Sequence, residues 1–196
     1  MSYELSDVEI LFIIFLSTKF GISILLAAIT LTISKKVNKT ANRWFTVFIL
    51  GLSFVFLIDV LEEHNYNFVP RLLLFFTQIP DLLIPISLYL AVKSFVNPIK
   101  NSTRNDVILF VPWVIDIVFK FFAFFIYKEE FMAESTLQSL YGIIFIAFWI
   151  FIVTKSWLII LKHQQSIKHL SADILRIDLK WLLYLLAVPT ILILLR

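Results

Sequence analysis

Long apolar runs alternate with short polar segments along the whole chain. The runs cover about residues 10–33, 44–61, 69–96, 107–127, 137–161 and 181–195. The first five match the ~17–25 residues that a helix needs to cross a ~30 Å hydrocarbon core. The last, about 15 residues long, spans only ~22 Å at ~1.5 Å per residue. No ten-residue alternating pattern points to a barrel. The pattern therefore predicts an all-α fold, a polytopic transmembrane bundle of six spans forming a single domain over residues 1–196.

Composition removes the main alternatives. Of the 196 residues, 60% are hydrophobic and 16% are charged. A soluble domain runs at about 45–50% apolar and about 25% charged. A chain of this length has too little interior to hide the excess from water. Disorder needs low hydrophobicity and is excluded with it. With 3 glycines against 21 phenylalanines, close glycine crossings are not expected to be the main packing device. There is no cysteine, which removes disulfides, zinc thiolates and thiol nucleophiles.

Charge placement sets a direction. The first loop carries Lys35, Lys36, Lys39 and Arg43. The third has Lys93, Lys100 and Arg104 against Asp106, and the fifth has Lys162, Lys168, Arg176 and Lys180 against Asp173 and Asp178. The second has Glu62 and Glu63 with Arg71, and the fourth has Glu129, Glu130 and Glu134 with Lys128. Odd loops are basic and even loops acidic, so the positive-inside rule puts the odd loops in the cytoplasm and the N-terminus outside. The acidic start, with Glu4 and Asp7, does not read as a cleavable signal peptide. Trp44, Trp157 and Trp181 are then expected as anchors at the cytoplasmic face of the membrane.

Six spans return the C-terminus to the outside. The parity and the short last run lead to the expectation of a seven-span fold lacking its last helix, a short tilted sixth helix being the alternative. The long fifth loop, about residues 163–178, reads as a membrane-surface segment. Ser171 would cap a short helix there, with Leu170, Ile174, Leu175 and Ile177 turned to lipid.

Four ionisable residues fall near mid-span: Lys19 in the first run, Asp81 in the third, and Asp116 and Lys120 in the fourth. An isolated charge at that depth costs at least ~2.5–3.5 kcal/mol, so all four should face the interior and pair. Asp116 and Lys120 have the spacing of a helical ion pair. Lys19 is then left for Asp81. The set reads either as a polar pocket for a ligand or proton relay, or as pairing that fixes helix register. Pro80 and Pro85 flank Asp81 in Gln78-Ile79-Pro80-Asp81-Leu82-Leu83-Ile84-Pro85. Each removes an internal hydrogen bond, so this stretch is a candidate hinge with freed carbonyls.

Catalytic signatures are missing. There is no Gly-x-Ser-x-Gly, phosphate loop or His-Glu-x-x-His. His64, His163 and His169 are scattered, and Asn67 stands where the glutamate-pair protease pattern needs arginine. No enzyme activity, cofactor or metal is expected, and direct nucleic-acid binding by this chain is not expected either. The expected partners are the lipid bilayer and an unknown small ligand or stimulus. A homodimer is allowed.

Three stretches resemble the membrane domain of bacterial membrane-anchored AraC-type transcriptional regulators. Pro85-Ile86-Ser87-Leu88-Tyr89-Leu90-Ala91-Val92-Lys93-Ser94-Phe95-Val96-Asn97-Pro98 resembles the family's third-span signature. Asp106-Val107-Ile108-Leu109-Phe110-Val111-Pro112-Trp113 resembles the element after it, with Leu109 in place of the usual histidine. Ile177-Asp178-Leu179-Lys180-Trp181-Leu182 is similar to the stretch before its late spans. The resemblance implies a sensor domain, typically of seven spans, that couples a stimulus to a cytoplasmic DNA-binding output domain. The alternative reading is a small transporter or channel subunit, although the two halves of the chain form no clear inverted repeat.

Overall fold

The computed structural model describes residues 7–33, 38–63, 75–76, 78–97, 104–126, 135–168, 183–184 and 186–187. Among these residues the fold is helical, with no strand. The helices are α1 (Asp7–Ile33), α2 (Lys39–Glu63), α3 (Leu83–Val96), α4 (Arg104–Ile108), α5 (Val111–Ile126) and α6 (Ser135–Lys168). Three stretches are long and apolar enough to cross a membrane: Ile13–Thr32 in α1, Lys39–Ile58 in α2 and Leu140–Gln165 in α6. Leu183, Tyr184, Leu186 and Ala187 of the last apolar run are helical. The expected surface helix around Ser171 and the anchor Trp181 lie outside the described residues.

α3 occupies the centre. Ile84, Ile86, Leu88, Leu90, Ala91 and Val92 are all buried, so lipid is kept away from most of its circumference. α2 packs on one side and α6 on another, while α1 packs against α2. The shared core joins Ala27, Phe48, Ile49, Leu88, Trp149 and Ile160. On α6 the inward residues are Trp149, Ile152, Ser156 and Ile160. Their spacing of three and four makes one stripe of a 3.6-residue period. The other faces of α1, α5 and α6 expose Ile22, Leu25, Ile115, Phe122, Ile144 and Leu158. Lipid is the solvent that suits such a surface, since soluble monomers rarely expose large contiguous apolar patches.

Two of the expected spans are not continuous helices. Within the third run, the chain turns at 79–82 before α3 begins, leaving a helix of 14 residues. Weak three-residue bonds replace the helical ladder there: Ile79 N–H to the Phe76 carbonyl at 3.4 Å, and Asp81 N–H to the Gln78 carbonyl at 3.5 Å. Pro80 cannot donate, and Pro85 cannot bond back to residue 81. The fourth run breaks at Leu109 and Phe110, between α4 and α5. Pro112 is the second residue of α5, where its missing N–H costs little.

One end of the bundle is stitched by polar contacts. Asn38 accepts from the Ala41 N–H at 3.2 Å, capping the start of α2. Its amide also donates to the Ser94 carbonyl at 2.7 Å, near the end of α3. Lys93 donates to both oxygens of Asp106 at 2.6 Å. Trp44, read from sequence as a lipid anchor, packs its ring 5.9 Å from Phe110. Trp157 is exposed on α6. The first and third loops therefore leave the bundle at the same end.

Glycine packing is local. A Cβ on Gly51 would stand 2.5 Å from Ile84 Cγ1, whereas Gly21 and Gly142 have open space. Gly51 is thus the contact that lets α2 approach the start of α3. Gly51→Val is expected to cost about 1–3 kcal/mol of stability through overpacking. Unfolding in detergent measures it, and Gly21→Ala, which meets nothing, is the control that should show no such loss.

Candidate functional site: a lysine clamp at the helix break

The break before α3 frees carbonyls, and α5 supplies the donors that take them. The Lys120 ammonium donates to the Gln78 carbonyl at 2.8 Å. Trp113, two turns earlier on α5, donates its indole N–H to the Ile79 carbonyl at 2.9 Å. An unmatched backbone carbonyl inside an apolar bundle is costly, so these two bonds make the break tolerable. They also tie α5 to the irregular segment rather than to a regular helix face.

Lys120 carries the charge balance as well. Its ammonium donates to Asp81 Oδ2 at 2.8 Å and lies 3.0 Å from Asp116 Oδ2. The side chains of Lys120 and Asp116 are 5% and 3% exposed, while that of Asp81 is 24% exposed. Asp116 is the weaker partner despite its proximity. Both of its oxygens are buried and make no hydrogen bond, so the 3.0 Å approach is a side-on ion contact. Asp81 makes further contacts of its own.

Tyr141 closes the cluster from α6. The ammonium lies 5.4 Å from the centre of its ring. The Tyr141 hydroxyl is buried and faces the same ammonium. No family model, characterised protein or solved structure matches this chain. The reading of the cluster therefore rests on its own chemistry.

Three of the four residues singled out from sequence come together, and the fourth does not. The helical pairing of Asp116 with Lys120 is present. The expected pairing of Lys19 with Asp81 is not, because Lys120 takes both carboxylates. Lys19 lies over the Phe15 ring at 4.1 Å, with Phe56 at 5.7 Å. A helical side chain leans toward the N-terminal turn, which brings Lys19 onto Phe15 four residues earlier. An ammonium over an aromatic face gains cation–π attraction without a carboxylate. Lys155 does the same on Phe151, at 4.4 Å, and so leans away from the polar end of α6. Pro80 and Pro85, the expected hinge, are both buried, the first inside the turn that Lys120 clamps and the second in the first turn of α3.

Sequence reasoning missed Trp113 and Tyr141. Trp113 had a signal, since an indole N–H buried in a membrane run needs an acceptor. Tyr141 had none beyond its place near the start of an apolar run. Among the described residues no His, Asp and Glu cluster could hold a metal ion.

Proposed function

We propose that this chain is a membrane-embedded sensor and signal-transducing domain of a bacterial regulator, of the kind its AraC-type resemblance implies. In this reading it crosses the inner membrane six times with the N-terminus outside. A stimulus acting on the Lys120 cluster shifts the broken segment before α3, and the cytoplasmic loops pass the change to an output domain. The observation that carries the reading is the clamp itself. One buried lysine on α5 holds a carboxylate and a freed carbonyl at the irregular start of the central helix. A buried ion pair can generally be replaced by apolar packing at little cost in stability, so stability alone is a weak reason to keep this one. The shared end of the first and third loops agrees with alternating spans, and their basic residues support a cytoplasmic assignment for that end.

The test uses the full-length regulator with its target promoter driving a reporter. Asp81→Asn and Asp116→Asn keep side-chain shape and remove one charge each. Both variants are expected to change reporter output several-fold at unchanged membrane abundance. Unchanged output and unchanged stability in both would sink the proposal.

A small transporter or channel subunit is the second reading, and the buried Asp116 carboxylate, which makes no hydrogen bond, favours it. It requires solute flux in liposomes containing this chain alone. The sensor reading requires none.

A further inference from the structure

Lys19 is an ammonium inside a membrane span for which the described residues supply no acceptor. It belongs to Ile13–Thr32, the apolar stretch of α1. Its ammonium meets two rings, Phe15 at 4.1 Å and Phe56 of α2 at 5.7 Å. A ring face attracts the charge but offers no oxygen to the three N–H donors. The hydroxyls beside it on α1 turn to their own backbone, Thr18 to the Ile14 carbonyl at 2.7 Å and Ser23 to the Lys19 carbonyl at 2.8 Å. Asp81 and Asp116 are both held by Lys120. The acceptor is left to the surroundings.

Depth and flank identify those surroundings. Lys19 stands six residues inside the start of the stretch, ~9 Å along the axis. A helical side chain leans toward the preceding turn, so the ammonium rests over Phe15, only two positions from Ile13. That lift is the snorkelling by which long basic side chains carry their charge out of hydrocarbon toward the headgroups. Leu11, Ile14, Phe15 and Ile22 are exposed, so lipid borders this flank of α1. Lys155 rests on Phe151 of α6 in the same way, but near the middle of Leu140–Gln165. The edge position sets Lys19 apart from it.

The depth also selects the anion. A free ion would have to leave water to reach the ammonium, whereas a phospholipid phosphate is anchored at that level by its own acyl chains. A phosphocholine head brings its own cation to the phosphate, and a phosphoglycerol head does not. We propose that Lys19, seated on Phe15 and Phe56 at the seam of α1 and α2, binds the phosphate of an anionic phospholipid in the leaflet at the N-terminal end of α1. The lipid then bridges the seam at that end, as the 2.8 Å bond between the Thr30 and Thr46 hydroxyls does nearer the other. This contact does not rest on the sensor reading above.

Phosphorus-to-nitrogen dephasing in solid-state NMR tests this on the full chain with isotope-labelled lysine side chains. The bilayers are phosphatidylcholine with and without phosphatidylglycerol. The Lys19 signal is the one lost in Lys19→Arg. Its dephasing by lipid phosphorus is expected to be several-fold larger with phosphatidylglycerol than without. Lys120, whose side chain is 5% exposed and held by carboxylates, is the control and should show none in either bilayer. No dephasing of Lys19 in the phosphatidylglycerol bilayer overturns the proposal. Equal dephasing in the two bilayers overturns the choice of an anionic lipid and leaves a lysine that meets any headgroup. Reporter output enters neither readout, so a failed sensor reading and a failed lipid site are told apart.

Discussion

Lys120→Met is expected to destabilise the folded protein by about 3–5 kcal/mol, the usual cost of removing one partner from a buried ion pair. The substitution keeps length and apolar volume but strands the Asp116 carboxylate and takes one donor from Asp81. Asp116 loses the cation that stands 3.0 Å from it, and it makes no hydrogen bond to compensate. The Gln78 carbonyl loses its short bond and keeps only the weak one from the Asp81 N–H at 3.5 Å. Chemical unfolding in mixed detergent micelles reads the loss. The triple change Lys120→Met, Asp81→Asn and Asp116→Asn is expected to recover part of it, because no charge is then left stranded. If Lys120→Met alone unfolds at the same denaturant concentration as the unsubstituted protein, the clamp is not a stabilising element.

The second large effect is expected at the other end of α3. Asp106→Ala should cost about 2–3 kcal/mol, in the range for a lost hydrogen bond to a charged group. Asp106 is 4% exposed and accepts from Lys93 through both oxygens, while Lys93 is 17% exposed. Removing the acid leaves a mostly buried ammonium, whereas Lys93→Met leaves a carboxylate at the start of the short helix α4. A double-mutant cycle isolates the pair from the packing of each side chain. A coupling near zero would show that the two charges are held independently by solvent or lipid headgroups. Gly51→Val comes third in expected size and acts by sterics alone, so its effect should add to either of these.

The long apolar helices were legible because lipid imposes one requirement on every residue of a span. Long apolar runs meet it almost regardless of order, and α1, α2 and α6 follow the runs closely. The break before α3 was also legible, since Pro80 and Pro85 act locally and need no partner to interrupt a helix. The partners were not. Lys120 finds Asp81 across 39 positions of chain, and no periodicity encodes which helix lies beside which. The Lys19 error has the same root: a count of two lysines and two aspartates balances the charges but does not place them. Lys93 and Asp106 show the opposite failure. Each was read as a loop charge that helps set orientation, and the chain folds them into a buried pair. The centrality of α3 escaped for a further reason. In lipid, a helix covered by protein and a helix covered by acyl chains are both apolar, so composition does not separate them.

The 34 residues of α6 make a rod of ~51 Å against a hydrocarbon core of ~30 Å. Its apolar part ends at Leu161, and Lys162 to Lys168 carry the same unbroken helix about 10 Å further. Trp149, Ser156 and Ile160 seat that rod in the core, and Tyr141 seats it beside Lys120. Rotation about the axis is then felt at both ends at once. A few degrees of turn at Tyr141 swing His163 and Lys162 through the same angle, with no loop between to absorb it. The polar end of α6 is a dial hand, and the lysine clamp is fixed to its spindle.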